Sequence, residues 1–425
     1  MWKRVIWGCL LGFLYAAQAY AADYYDLNVF NYDLLYGVQT QNTQYKAKNM
    51  EDNMDSSDKE IAEQFQRLKK HDGVVIPSSP DELAEQFQKL RKLDGVVIPS
   101  SPEELAEQFQ KLRKLDDVVI PYSPPSKWPM PAALMGFTAV FYFFSSDTSL
   151  PNFVRCINDY LARTPEGKLA RMSINGDDSI ALEYPISPFT DTYASTLFAE
   201  DGGFSVYLTS ATERISYPAH YSLKSLFTDD RGKRRLSRLQ FSFPLGFLLD
   251  QEPGYIQKML YEWSRLLCPF HGMAGIGIIY CLYETSALAA GKDVMEGLER
   301  FPGLQADNVY LHSSQVTDGI IGVSWYTMVS NVLLDKVGGV ESLKDLGPDY
   351  VLWKYPTGVG IISGPLPDLG DRKLGYMPLF LPKLHALLRP IYSQNLKEIV
   401  VREQEGISTE DFTEKWKYRY DLIYP

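Results

Sequence analysis

The sequence predicts an α+β domain, a mainly antiparallel sheet with packed helices, preceded by a short helical repeat or spacer region. Three observations point there. Ala132–Pro425, ~300 residues, holds most of the aromatic and β-branched content, enough to bury a sizeable core. Short apolar runs of strand type alternate there with amphipathic helical stretches. The separations between neighbouring strand-like runs are short, which favours antiparallel pairing over a doubly wound sheet.

The chain opens with Lys3 and Arg4 ahead of the apolar run Val5–Ala17, which is too short to span a bilayer comfortably. Ala19-Tyr20-Ala21 follows as the A-x-A pattern of a secretory cleavage site, so residues 1–21 read as a signal peptide and the chain as periplasmic. The alternative is an uncleaved inner-membrane anchor. No later segment reads as a membrane span. Residues 22–58 pass from an aromatic patch (Tyr24, Tyr25, Phe30, Tyr32, Tyr36) into polar linker.

Residues 59–124 hold three near-copies of a unit whose cores begin at Ile61, Leu83 and Leu105, a period of 22. Within each copy, as at Leu83, Phe87 and Leu90, apolar residues recur on one helical face. Ser79 and Ser101 are placed as caps, and each helix ends in a β-prone VVIP. The repeats read as a duplicated spacer or as a small stacked array. A proline-rich linker, 125–131, separates them from the domain at 132–425.

Inside that domain strands are expected at Phe137–Phe144, Phe204–Thr209, Leu239–Phe243, Met273–Tyr283 and Ile320–Val323. Helices are expected at Leu150–Ala162, Tyr255–Leu267, Val294–Phe301 and Tyr326–Val337, the last stopped at Gly338-Gly339. Tyr350–Lys354 and Val359–Ser363 read as a hairpin around Pro356–Gly358. The stretch from Gly358 to Pro390 is read as a packing unit. It runs from a buried strand through a loop with Gly364, Pro365, Pro367, Gly370 and Asp371 into a helix with Pro382 in its first turn. Leu381, Leu384, Leu387 and Leu388 form that helix's apolar face. The spacing of strand–helix blocks hints at duplicated halves.

The pattern IISGPLPDLGD…LPKLHALLRPI in this stretch resembles the C-terminal signature of the TsiV-like family of type VI secretion immunity proteins. Further matches lie upstream in the same order: GFTAVFYFFSSD at 136–147, HGMAGIGIIY at 271–280, RFPGLQ at 300–305 and GVSWYTMVSNVLLDKVGG at 322–339. The resemblance covers roughly residues 126–395. It implies a protein that binds and neutralises a toxin delivered by a sister cell.

Catalytic and metal signatures are sparse. His71, His220, His271, His312 and His385 are scattered, without HExxH, HxH or Cys/His spacing. The glycine-rich run after His271 lacks the GK[ST] ending of a phosphate loop, and Ser324 lacks the second glycine of a nucleophile elbow. Cys268 and His271 are neighbours in sequence, whereas a catalytic Cys–His pair normally assembles from distant segments. Cys156, Cys268 and Cys281 remain after leader removal, enough for one disulfide and one thiol. Asp177-Asp178, Glu200-Asp201 and Asp229-Asp230 read as solvated loop charge, and the basic cluster Arg231–Arg238 as a surface loop or hairpin shoulder. The formal charge of −11 argues against nonspecific nucleic-acid binding and suits a basic partner.

The sequence therefore reads as a non-enzymatic immunity protein without cofactor or metal, whose partner is a cognate toxin. Possible toxin contacts are Asp368 and Asp371, polar residues in a loop held by a strand–helix unit, and Trp325. The other readings are an envelope adaptor working through its repeats and a hydrolase with an unrecognised site.

Overall fold

Two long apolar runs interrupted by glycine, Ala133–Phe143 and His271–Tyr280, pair side by side in the middle of the sheet and set the order of the other strands. The computed structural model describes residues 107, 110–120, 133–145, 149–176, 179–213, 217–229, 235–251, 254–280, 291–306, 309–399 and 408–421. The chain divides into two units, and the one formed by 103–251 and 255–425 holds the strands and helices of the described residues. The signal peptide, the Tyr-rich and polar linker, the first two repeats and the proline-rich linker lie outside the described residues.

The strands are β1 (Val119–Ile120), β2 (Ala133–Phe143), β3 (Arg171–Ile174), β4 (Ile180–Ala181), β5 (Gly203–Phe204), β6 (Val206–Thr209), β7 (Ser222–Thr228), β8 (Ser237–Phe243), β9 (His271–Tyr280), β10 (Tyr326–Ser330), β11 (Tyr350–Tyr355) and β12 (Gly358–Ser363). The helices are α1 (Ser149–Arg163), α2 (Asp191–Asp201), α3 (Leu245–Leu249), α4 (Tyr255–Leu267), α5 (Gly291–Arg300), α6 (Val309–Gln315), α7 (Asn331–Leu334), α8 (Leu381–Leu388) and α9 (Thr409–Lys417).

The sheet runs β11-β12-β10-β9-β2-β8-β7-β6-β3-β4, and every pairing along it is antiparallel. This is the α+β architecture that the short strand separations implied. The first half of the domain lies to one side of the β2–β9 seam and the second half to the other. Small residues line that seam: Gly136 opposes Gly277, Thr138 opposes Gly275, and Ala139 opposes Ala274. A side chain at Gly277 would collide with the Thr138 hydroxyl, so the glycine allows the two strands to pack there.

Helices α1 and α4 pack on the sheet through aromatic rings. Phe153 meets Phe143 and Phe227, while Trp263 meets Phe141 and Phe241 at ring separations of 5.9 and 5.0 Å. The Trp263 indole donates to Asp159 at 2.7 Å, satisfying its one polar atom inside the core. Both helices match the 3.6-residue apolar spacing seen in the sequence.

Several elements differ from the sequence reading. Tyr326–Ser330 is a strand flanked by β9 and β12, and only Asn331–Leu334 continues as α-helix. A central strand buried on both faces is a continuous apolar run, so periodicity does not separate it from a helix. Ile320–Val323 is irregular, with only Ile320 bridging to Tyr392. Strand β7 and helices α2, α6 and α9 carry too mixed a polar content to stand out in the sequence. β7 even places Lys224 in the interior, its ammonium donating to the Tyr280 carbonyl at 2.7 Å.

The body also reaches across the expected linker to the third repeat. Leu112 and Leu115 pack on the core, and β1 adds to β2 with Val119 opposite Leu134.

Candidate functional site

The loop between β12 and α8, residues 364–380, contains Asp368 and Asp371 and is braced at both ends and in the middle. At its start Gly364 has φ +80°, and the place of its missing side chain is filled by the Phe380 ring. Trp325, only 3% exposed, donates its indole N–H to the Gly364 carbonyl at 3.0 Å. At the far end the Tyr350 hydroxyl donates to the Phe380 carbonyl at 2.5 Å. Trp325 is thus a support beneath the loop, with its ring in the core.

The two aspartates organise the loop from inside. Asp368 accepts from the Gly370 N–H at 3.0 Å, the Tyr376 hydroxyl at 2.6 Å and the Leu379 N–H at 3.3 Å. Asp371 caps the short turn Arg372–Leu374 through the Lys373 N–H at 3.0 Å. It is also gripped by the Arg300 guanidinium, with Nε 3.1 Å from Oδ1 and Nη2 2.6 Å from Oδ2. The Arg300 guanidinium holds the Asp371 carboxyl below its usual range. Two-point contact of this kind fixes orientation as well as distance. The Gly303 N–H donates to the Leu369 carbonyl at 2.8 Å, and any side chain at Gly303 would collide with the Asp368 carbonyl. The RFPGLQ turn and the aspartate loop are therefore built against each other.

The C-terminal segment closes the arrangement. Arg419 stacks on the Trp416 ring at 3.7 Å and donates from Nε to the Pro302 carbonyl at 2.6 Å. Its own carbonyl accepts from Arg372 at 2.7 Å. Asp421 accepts from His385 Nε2 at 2.7 Å and pairs with Arg389 at 2.8 Å. The outer rim of this framework carries two apolar side chains. Leu374 is 78% exposed and Tyr376 43% exposed, and Leu374 is the most exposed large apolar side chain among the described residues. Sequence reasoning singled out the aspartates but missed Leu374, Tyr376, Arg300 and the Arg419 and Asp421 clasp. The RFPGLQ motif was the available signal, because it brings Arg300 to Asp371.

The side chains weighed for catalysis are engaged elsewhere. His271 is buried, with Nδ1 at 3.2 Å from the Met328 carbonyl and Nε2 accepting the Ile321 N–H at 3.1 Å. Those partners fix a neutral tautomer. The Cys268 thiol donates to the Arg265 carbonyl at 3.5 Å. Ser324 donates to the Ala274 carbonyl at 3.0 Å and accepts from the Gln305 amide. Cys156 and Cys268 are free thiols, and Cys281 lies outside the described residues. Among the described residues no group of three or more His, Cys, Asp or Glu is placed to hold a metal ion.

The acidic pair at 177–178 and residue 230 also lie outside the described residues, while Asp201 accepts from Asn175 at 3.3 Å. Within the basic cluster, 231–234 lie outside as well. Arg238 is buried in β8 opposite Leu226 of β7 and donates with Arg235 to the Ser313 hydroxyl, so of the two readings the sequence left open this part is the hairpin shoulder and not the surface loop.

His385 makes the clasp sensitive to pH. Burial pushes its imidazole below the usual value of 6.5, partly opposed by Asp421, while Arg419 and Arg389 push in the same direction as burial. The unfolded chain therefore binds more protons than the folded one just below that value. Stability is fully present above it and is lost as pH falls through 6.5 toward the depressed folded value. Thermal melts are expected to shift down between pH 7.5 and 5.5, and the part of that shift due to this residue should vanish in His385→Gln. An unchanged pH dependence in the variant would show that this site carries none of it.

The profile of the TsiV family, described as type VI immunity for VRR-NUC, matches residues 152–420, which takes in the Arg300 turn, the aspartate loop and Arg419 and ends one residue short of Asp421. Among solved structures the chain is similar to the Pseudomonas aeruginosa T6SS protein PA0821, with a TM-score of 0.60 and 19% identity, over 76% of this chain and 91% of that one. That likeness is one of fold. No curated protein sequence matches. No helix among the described residues is long and apolar enough to cross a membrane. With the family profile spanning more than half of its length, the chain belongs to the TsiV family of type VI immunity proteins.

Proposed function

We propose that this chain is exported and neutralises a toxin of the VRR-NUC type by binding it one to one, with the rim of the 364–380 loop in the interface. The observation that carries the contact face is the combination of a multiply pinned loop with exposed Leu374 and Tyr376 at its edge. A loop already held in shape loses little conformational freedom on binding, so more of the contact energy appears as affinity. A standard interface of ~1,600 Å² with a few anchors suffices for tight inhibition. Asp368 and Asp371 contribute mainly by holding the rim in place. The net charge of −11 suits a toxin that acts on nucleic acid, since such a protein presents a basic surface.

Export rests on Lys3, Arg4, the Val5–Ala17 run and Ala19-Tyr20-Ala21. N-terminal sequencing of the periplasmic form is expected to begin at or near Ala22. Intact Met1 on a cytoplasmic protein would remove the periplasmic encounter from the reading. The function itself is tested by co-expression with the toxin encoded next to it. Survival is expected with the wild-type chain and its loss with an empty vector. Equal killing in both would refute the assignment.

A further inference from the structure

The end of the third repeat sits in a defined site on the body of the domain. Asp116 Oδ1 accepts the Leu245 N–H at 2.6 Å, and Oδ2 accepts the Gly246 N–H at 2.7 Å. Arg113 reaches Asp250 with both terminal nitrogens, Nη1 lying 3.3 Å from Oδ2. Leu112 and Leu115 pack on the core. Val119 and Ile120 pair with Leu134 and Ala133, and the Met135 N–H donates to the Val118 carbonyl at 3.3 Å. Two apolar anchors, a two-point ion pair, a two-point carboxylate contact and a strand addition make a specific peptide-recognition surface.

Each residue that makes these contacts recurs 22 positions upstream: Leu90, Arg91, Leu93, Asp94, Val96, Val97 and Ile98 stand where the docked copy has Leu112, Arg113, Leu115, Asp116, Val118, Val119 and Ile120. Within that span the copies differ only at Asp117, which is exposed in the docked copy and is Gly95 in the second. The first copy keeps Leu68, Asp72, Val74, Val75 and Ile76 but has Lys69 for the arginine and His71 for the second leucine. Lysine cannot reproduce the guanidinium fork, and histidine is a poorer apolar anchor.

We infer that this surface is a receptor for the repeat unit as such, and that the second copy of the same chain occupies it whenever the third is released. The repeats are then interchangeable latches. Exchanging one copy for the next lengthens the arm leading into β2 by 22 residues and shortens the arm leading back to the N-terminus by the same amount. The connection to Ala133 grows from about 12 to about 34 residues. At equal contacts, loop closure then favours the third copy over the second by roughly fivefold. The first copy ranks last, having both the longest connection and the two weaker residues. This inference is independent of the toxin reading and uses none of its contact residues.

Disulfide trapping in the full-length chain tests it. Val119→Cys with Leu134→Cys reports the third copy, because these residues are direct cross-strand partners at a spacing a disulfide can bridge, and Val97→Cys with Leu134→Cys reports the second. Peptide mapping identifies the bond formed. With the third copy intact, the 97–134 bond is expected at roughly one-fifth of the 119–134 yield. Adding Leu115→Asp and Asp116→Ala should raise the 97–134 bond severalfold, within monomers. No rise, or a 97–134 bond found only between two chains, would overturn the inference.

Thermal melts give a second readout that does not depend on cysteine placement. Disabling the third copy alone should lower the midpoint less than disabling the second and third together with Leu93→Asp and Asp94→Ala. Equal midpoints in the two variants would show that the second copy never takes the site.

Discussion

Leu384→Asp is expected to abolish the folded domain. Leu384 has no exposed surface and lies between Leu381 and Leu388 on the buried side of α8. Its neighbours one turn away on that face of α8, Leu381 and Leu388, offer an aspartate neither a cation nor a hydrogen-bond donor. Burying it uncompensated costs several kcal/mol, a large share of the ~5–15 kcal/mol that holds a domain folded. Circular dichroism should show no cooperative melt, and soluble yield should collapse. A cooperative transition near the wild-type midpoint would mean that α8 does not turn this face to the core.

Leu374→Arg is expected to do the opposite: leave the fold intact and remove the function. Its side chain projects from the Arg372–Leu374 turn into solvent, so the substitution should change stability by no more than about 0.5 kcal/mol. In the complex it would place a charge in the apolar centre of the interface, facing a basic toxin. The loss should exceed about 2 kcal/mol, or roughly thirtyfold in Kd, and protection in co-expression should fail. Unchanged affinity with an unchanged melt would move the contact face away from this loop. Tyr376 is a less clean probe because its hydroxyl holds Asp368 at 2.6 Å, so truncation there would loosen the loop as well.

The parts of the molecule that were legible in the sequence are those whose local pattern and final environment agree. Helix Tyr255–Leu267 was readable to the residue because its apolar face meets the sheet along its whole length. The hairpin at 350–363 was readable from β-prone runs around a proline–glycine turn. The strand Tyr326–Ser330 was not, since its neighbours on both sides come from distant segments and its apolar run fits either period.

The same distinction holds at the candidate site. Glycine, proline and aspartate announced a shaped loop, and that is what 364–380 is. What the loop is braced against comes from segments 71 and about 50 residues away: the RFPGLQ motif is the one sequence signal for Arg300, and Arg419 leaves no local trace. Trp325 was weighed as a core residue or a toxin contact beside an expected helix, and only the fold shows its buried indole holding Gly364 from below.

The central claim is that the chain acts by stoichiometric binding through a preformed surface. Titration of the purified toxin with the purified mature chain, reading toxin activity and heat of binding together, tests it most directly. Activity should fall linearly to zero at one equivalent, with a single binding isotherm of one-to-one stoichiometry and no change in the mass of either protein. Loss of toxin activity at well below one equivalent, or inactivation that progresses with time after the heat of binding has ended, would show turnover and contradict the account.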